Sequence, residues 1–316
     1  MKVLITGGAG FIGANLSRAL TRTSAIDEVQ VLDDLSTGTR ANLDGVDGVE
    51  VRFTEGSVLD YELLRKVSDG VDSIVHLAAI ASVPLSLANP RATHDAGATG
   101  TLNVFEAARE LGVPHVVVAS SSAVYGSNPK LPISEDDWTR PLSPYAVSKM
   151  ATEGYALAYQ ASYGMKTLAF RFFNVYGPLQ PAEHAYAAVI PKFIDAALTG
   201  RPLTIYGDGT QSRDFTFVTD ICQVIVEAVV GQVSRPEPIN LAYNTNTTLL
   251  ELIAELESVL GRSLERVHEA PRAGDVKTSQ ADASRVQALF PGVRPVELRT
   301  GLEATVDWYR GHLGSR

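Results

Sequence analysis

The stretch Lys2–Val3–Leu4–Ile5–Thr6–Gly7–Gly8–Ala9–Gly10–Phe11–Ile12–Gly13 decides the fold. Its first five residues are a short β-branched and apolar run, and behind Gly13 come the helix formers Ala14, Asn15, Leu16, Ser17, Arg18, Ala19 and Leu20. Strand, glycine turn, helix is the reading. Gly8, Gly10 and Gly13 fit G-x-G-x-x-G, in which the missing side chains let backbone approach a pyrophosphate while the helix N-terminus faces its charge. Glycine turns are common, so the match gains its weight from a second strand, Val29–Gln30–Val31–Leu32, ending on Asp33 about 20 residues beyond the turn. A carboxylate there can accept hydrogen bonds from an adenosine ribose and would repel a ribose phosphate. Asp34 adds to that repulsion, and the expected cofactor is NAD rather than NADP.

Working outward, residues 49–53 alternate like a third strand, 61–67 carry helical spacing, and 72–77 form a fourth strand. Residues 90–111 read as one long helix, stopped by Gly112 and Pro114. A continuous apolar strand, 115–119, comes next, then a helix opened by Pro144 and ended by Gly164, then a strand at 167–171. Such alternation implies an α/β fold, a Rossmann-type doubly wound parallel sheet with ligands bound beyond the carboxyl ends of its strands. Past Asn174 the prolines Pro178, Pro181, Pro191 and Pro202 break the rhythm. We therefore expect a dinucleotide-binding domain over 1–174 and a smaller C-terminal substrate-binding α/β lobe over 175–316. Part of 214–243, including the strand-like Ile239–Leu241, should return to the large sheet. Thr248 with Glu251, and Thr300 with Glu303, have capping-box spacing, so a helix should begin at each.

Composition narrows the partners. With 316 residues, 45% of them hydrophobic, the chain can bury a large core. A net charge of −9 without a long basic run argues against nucleic acid, and phosphate ligands must be met by a few local cations. The single cysteine, Cys222, rules out an intrachain disulfide framework and sits in an apolar run as a buried thiol would. The sequence opens on a core strand and has no apolar stretch of membrane-crossing length, so the expectation is a cytoplasmic protein with no signal peptide and no membrane partner. No metal cluster is expected.

The central candidate for chemistry is Ser143–Pro144–Tyr145–Ala146–Val147–Ser148–Lys149. Four residues apart on a helix, Tyr145 and Lys149 share a face. A phenol is a poor base at neutral pH, but a neighbouring ammonium and a cationic nicotinamide both favour the phenolate. Such a tyrosine can take the proton of a sugar hydroxyl while hydride leaves for NAD.

Taken together, these residues resemble an extended short-chain dehydrogenase/reductase, and within that group the nucleotide-sugar 4-epimerases. The resemblance spans 1–312 and rests on the glycine turn, Asp33 with Leu35–Ser36–Thr37–Gly38, His76–Leu77–Ala78–Ala79, Ser120–Ser121–Ser122–Ala123–Val124–Tyr125–Gly126, and Tyr145 with Lys149. It continues through Arg171–Phe172–Phe173–Asn174–Val175–Tyr176–Gly177–Pro178, Tyr206–Gly207–Asp208–Gly209, Arg213–Asp214–Phe215 and Arg272–Ala273–Gly274–Asp275. It implies that NAD is held tightly by Gly7, Gly10, Phe11, Ile12, Gly13, Asp33, Asp34, Ser36, Thr37 and Gly38. Ser57, Val58, Leu77, Ala78, Ala79, Tyr145, Lys149 and Phe172 complete that implied set. Ser121, or Ser122 beside it, should hydrogen-bond the reacting 4-oxygen. Asn174, Arg213 and Arg272 should hold a diphosphate, with Ser82, Val83, Ala188, Val189, Tyr206, Asp275 and Ser279 completing the sugar-nucleotide site. A homodimer through the helices of 90–111 and 145–163 is also implied.

The same resemblance sorts the reactions. Related 4,6-dehydratases carry an Asp–Glu pair where this chain has Ser122 and Ala123, and neither of these can protonate a leaving hydroxyl and remove the C5 proton. That favours 4-epimerisation of a UDP-hexose through a transient 4-keto sugar. The residue seven positions after Arg272, which lines the pocket near C2 in the epimerases, is Ser279. Its small side chain permits UDP-N-acetylglucosamine and UDP-N-acetylgalactosamine. Against the family pattern, Gly97 replaces an Asn, Ser57 an Asp, Leu85 an Arg, and Glu183–His184 a neutral pair. The last keeps open a dehydration across C5 and C6, with Glu183 or His184 as the extra acid or base. Reduction of a 4-keto sugar by exchangeable NADH, and a non-catalytic nucleotide-sugar-binding protein, are the remaining readings. The presence of both Tyr145 and Lys149 argues against the last.

Overall fold

The first strand, β1 (Lys2–Thr6), is buried from Val3 onward, and its side chains alternate between two cores. Val3 and Ile5 pack with Leu16, Leu20, Val224 and Ile225, whereas Leu4 packs with Ile74, Val104 and Phe105 on the opposite face. A period of two with both faces covered is what a central parallel strand requires. Each aliphatic side chain buried in this way contributes about 1.5–3 kcal/mol. The computed structural model describes residues 1–182, 187–271 and 277–313.

Beside β1 lie β2 (Glu28–Asp33), β3 (Val51–Glu55), β4 (Ser73–His76), β5 (His115–Ser121) and β6 (Lys166–Phe172). With Ile239–Leu241 they form a seven-stranded parallel sheet in the order Ile239–Leu241, β6, β5, β4, β1, β2, β3. This is the expected Rossmann-type doubly wound α/β fold, and the order reverses between β1 and β4, the crevice where such sheets bind ligands. Helices Phe11–Thr21 and Val218–Val230 cover one face, and Tyr61–Ser68, Gly100–Leu111 and Pro144–Tyr163 cover the other. A third core, built from Ile190, Ile194, Leu203, Leu252, Ile253 and Leu302, holds the smaller lobe together. Beyond Asn174 the chain returns to the large sheet, as expected for part of 214–243. Val218–Val230 packs on Phe11–Thr21, and Ile239–Leu241 pairs with β6 in the register Ile239 to Phe170 and Leu241 to Phe172.

Three details differ from the sequence reading. The third strand starts at Val51 rather than at residue 49. The long helix expected over 90–111 is three pieces, Pro90–His94, a π turn at Asp95–Thr99, and Gly100–Leu111. Glycines in and just after the π turn let this stretch press against its neighbours. A Cβ at Gly97 would lie 2.7 Å from the Ser148 Cβ, and one at Gly100 would lie 2.6 Å from Val58 Cγ2. The helix expected to start at Thr300 starts at Leu298, and the Gly301 N–H already donates to the Glu297 carbonyl at 3.0 Å, across the supposed cap. At Thr248 the capping box is complete, with the Thr248 N–H donating to Glu251 Oε2 and the Glu251 N–H donating to Thr248 Oγ1.

Candidate active site

The carboxyl ends of β1, β2, β4, β5 and β6 open into a cleft of about 1180 Å³. Its floor is the glycine turn. Gly7, with φ of +72°, approaches the segment after β4 so closely that a Cβ there would sit 2.7 Å from the Ala78 nitrogen. At Gly13 a Cβ would collide with the Gly7 carbonyl oxygen at 2.3 Å. The helix Phe11–Thr21 begins with Gly10 as N-cap, has no side-chain cap and no acidic residue in its first turn, and so leaves its first N–H groups for a ligand. Gly7, Gly10, Phe11, Ile12 and Gly13 all face the cleft.

At the end of β2, Asp33 Oδ2 accepts the Ala9 N–H and Oδ1 the Leu35 N–H, both at 2.9 Å. Burial pushes its carboxyl up, and these backbone donors oppose the rise. Asp34, Ser36 and Thr37 line the same wall; Gly38 does not, lying against Ala9, where a Cβ would be 2.7 Å from the carbonyl carbon. Ser57 and Val58 follow β3, and Leu77, Ala78, Ala79 and Ser82 follow β4; all face the cleft, whereas Val83 does not.

The helix Pro144–Tyr163 brings Tyr145 and Lys149 to the inner end of the cleft, with Ser121 from β5 and Phe172 from β6. Lys149 Nζ donates to the Ala119 carbonyl at 2.6 Å and stands 6.0 Å from the centre of the Tyr145 ring. Burial lowers the ammonium to about 8, against the pull of Glu153. Burial raises the Tyr145 phenol, and a hydrogen bond with Ser121 pulls it back. Ser121 Oγ also accepts the Ala123 N–H at 3.2 Å, fixing the turn Ser122–Tyr125; Ser122 itself is off the cleft wall. Beneath the pair, His76 bonds Thr6 Oγ1 at 2.7 Å and Thr101 Oγ1 at 3.0 Å, and burial first, then the Lys149 charge, depress its pKa to about 3. It is a neutral spacer.

The sugar-nucleotide residues form a different group. Of them only Ser82, Ser121 and Ala188 line the cleft; Asn174, Val189, Tyr206, Arg213 and Ser279 lie off its wall. Three of these are nonetheless neighbours. Ser279 pairs in register with Arg213, and the Asn174 N–H donates to the carbonyl of Asp214 at 3.2 Å. Asp214 is fully buried and accepts from the Ala281 N–H at 3.0 Å and from Thr245 Oγ1 at 2.9 Å, fixing this corner. Glu183, His184, Arg272 and Asp275 lie outside the described residues. Sequence reasoning missed Trp308 and Tyr309, which also line the cleft, and the Tyr309 hydroxyl bonds the carbonyl of Gln180, the first residue of the 180–188 segment that resembles N-acetylhexosamine-accepting relatives. No local pattern marks them, since they arrive from the far end of the chain. Among the described residues no group of His, Cys, Asp and Glu has metal-binding geometry, and no helix is long and apolar enough to cross a membrane.

A bare helix N-terminus at the switch point, with an acid at the end of the neighbouring strand, makes this a dinucleotide-dependent α/β protein. The chain belongs to the NAD dependent epimerase/dehydratase family, whose model matches residues 3–242. It is 32% identical to a putative UDP-glucose 4-epimerase of Methanocaldococcus jannaschii over 98% of this chain and 99% of the relative. It superposes with a TM-score of 0.92 on a UDP-N-acetylglucosamine 4-epimerase from Methanobrevibacter ruminantium, at 35% identity and 98% coverage of both chains. A dTDP-glucose 4,6-dehydratase from Streptomyces venezuelae is also similar, with a TM-score of 0.90, 35% identity, and coverage of 100% of this chain and 98% of that one. NAD is the cofactor, and the Gly7–Gly13 cradle, the uncapped helix and the inward-turned Asp33 fit it.

Proposed function

We propose that this protein interconverts the C4 epimers of a UDP-hexose through a 4-keto sugar, with UDP-N-acetylglucosamine and UDP-N-acetylgalactosamine as its pair. The observation that carries the reading is the meeting of Ser121 and Tyr145 at the inner end of the cleft, beside Lys149. The turn that follows, Ser122–Tyr125, contains no carboxyl group. A site that only moves a proton on and off O4 needs the first and not the second. NAD, when bound, supplies a reversible acceptor for the C4 hydride. Tyr145 takes the O4 proton and returns it, Lys149 favours the phenolate by its charge, and Ser121 donates to O4 as negative charge grows there. Lys149 is anchored on Ala119, so its charge is fixed in place before substrate arrives. The enzyme ends each cycle as it began, with no net proton or hydride taken up.

Asn174, Arg213 and Arg272 take the diphosphate in this reading, and the small Ser279 leaves room for an N-acetyl group. The similarity to the Methanobrevibacter UDP-N-acetylglucosamine 4-epimerase supports the choice of sugar. We assign a homodimer through the helix Pro144–Tyr163, on which Val147, Leu157 and Tyr163 stand 53%, 48% and 58% exposed. Sedimentation at micromolar concentration tests that assignment.

The deciding experiment is a proton NMR time course with UDP-N-acetylglucosamine in deuterated water and no added reductant. Growth of the galacto anomeric signal, with no deuterium at C5, is the expected result. Loss of the C6 methylene signals, or deuterium at C5, overturns epimerisation in favour of dehydration. Turnover of UDP-glucose alone overturns the choice of sugar and leaves the chemistry standing.

A further inference from the structure

Three consecutive residues of β5 engage one face of the Pro144–Tyr163 helix. Ser121 meets Tyr145, the Ala119 carbonyl accepts from Lys149, and Ser120 Oγ donates to the carboxylate of Glu153. The helix residues are spaced by four, so they form a single row. The third member of that row is itself clamped. Glu153 accepts Arg171 Nε on Oε1 and Arg171 Nη2 on Oε2, both at 2.8 Å, and the two side chains are 14% and 5% exposed. Arg171 Nη1 donates to Tyr125 OH at 2.8 Å and to the Glu135 carbonyl at 3.3 Å. Tyr125 OH in turn donates to Asn240 Oδ1 at 2.6 Å. An ion pair this deep is weak evidence for stability, because desolvation cancels most of the attraction. It calls for another explanation.

We infer that Glu153, balanced by Arg171, is a positioning residue that sets the working charge of the Tyr145–Lys149 pair and holds the end of β5 against it. The inference rests on the reading of Tyr145 and Lys149 given above. Glu153 stands one helical turn from Lys149, whose affinity for a proton its negative charge raises, and two turns from Tyr145. Arg171 opposes it from β6. Among neighbouring charges, the buried Glu135 carboxylate accepts the Asn240 N–H at 2.9 Å and stands 3.9 Å from Arg285. His76 on β4 stays neutral, Tyr125 is bonded to Arg171, and Glu106 on the helix Gly100–Leu111 is paired with Arg109 beside Tyr159. His94, Arg91 and Asp95 lie on the 90–95 stretch, and His115 and Lys166 lie at the opposite ends of β5 and β6 from Ser121 and Phe172.

The test is the pH profile of kcat/KM for three variants in the holoenzyme. Glu153→Gln keeps the hydrogen-bonding shape and removes the negative charge, so both limbs should move to lower pH, the limb set by Lys149 by about one unit and the limb set by Tyr145 by less. Arg171→Gln should move them to higher pH by a similar amount, and the double variant should return them close to wild type. Arg171→Lys, which keeps charge but loses the fork, should leave the limbs in place while lowering kcat, and it serves if either Gln variant loses NAD or folds poorly. Limbs that stay put in the single Gln variants, or that shift the same way in both, overturn the inference. So does an Arg171→Lys profile displaced from wild type. Tyr145→Phe is run alongside. Should it keep full activity, the assignment of Tyr145 fails, and that failure is distinct from unshifted limbs in an enzyme that Tyr145→Phe inactivates.

Discussion

Ser148 occupies the space that a side chain at position 97 would need. A Cβ on Gly97 would stand 2.7 Å from both Cβ and Oγ of Ser148, in the π turn that feeds the helix Gly100–Leu111. Gly97→Ala is expected to cost about 1–3 kcal/mol in urea unfolding through overpacking. Ser148→Gly in the same chain should recover most of it, and a double-mutant cycle measures the coupling. Additive losses would mean that the two residues do not compete for one space.

Gly7 is the sharper backbone constraint, with φ of +72° and the Ala78 nitrogen 2.7 Å from any added Cβ. Gly7→Ala should purify with little or no NAD, as read from nucleotide released on denaturation. Wild-type NAD content in this variant would show that the turn can open without loss of grip.

His76 gives the fold a dependence on acid. Its pKa in the folded protein, about 3, lies well below the ordinary histidine value. Between roughly 6.5 and 3 the unfolded chain therefore binds more protons than the folded one, and stability falls as pH falls through that window. The loss should be on the order of a few kcal/mol across the full range. His76→Gln, able to bond Thr6 and Thr101, should flatten the slope of unfolding free energy against pH over the same interval.

Lys149 gives activity a limit on the alkaline side. Its ammonium is lowered to about 8, so kcat/KM should fall as pH rises through that value and the charge beside Tyr145 is lost. Tyr145→Phe should reduce kcat by about 10²–10⁴-fold. Ser121→Ala should cost less, about 10–100-fold, because it removes one donor to O4 and leaves the base in place. Both variants should retain NAD.

Ser279 is the expected gate for the 2-substituent. Ser279→Tyr should cut turnover of UDP-N-acetylglucosamine by at least about 100-fold while sparing UDP-glucose, a discrimination of about 3 kcal/mol. Parallel losses on both sugars would place Ser279 away from C2.

Legibility in the sequence followed the range of the interaction involved. The glycine turn, Asp33 and the alternation of strands and helices are local signals, and the parallel sheet with its switch point follows from them. The Thr248 cap was readable for the same reason, since both partners lie within one turn. Thr300 shows the limit of that logic: four residues have the right spacing, yet packing against Glu255 and Ser258 through Arg299 accompanies an earlier helix start at Leu298. The close approach of Gly97 to Ser148 was unreadable because the two lie about 50 residues apart in the chain. Trp308 and Tyr309 reach the cleft by tertiary packing alone, and no spacing rule could announce them. The row of Ser121, Ser120 and Ala119 against Tyr145, Glu153 and Lys149 was half visible. The helix spacing could be read, but the strand partner in each case could not.

The pairing of Ile239–Leu241 with β6 makes the two lobes inseparable as pieces of polypeptide. A fragment ending at Asn174 would contain every glycine of the dinucleotide cradle and still lack both the outer neighbour of β6 and the helix that covers Phe11–Thr21. Its last strand would present a naked row of amide and carbonyl groups, and the apolar face of the helix Phe11–Thr21, Leu16 and Leu20 included, would meet water. Such a half-protein should associate with itself instead of folding as a free cofactor-binding module. A self-sufficient cofactor-binding piece of this chain must therefore include residues 218–241 as well as its first half.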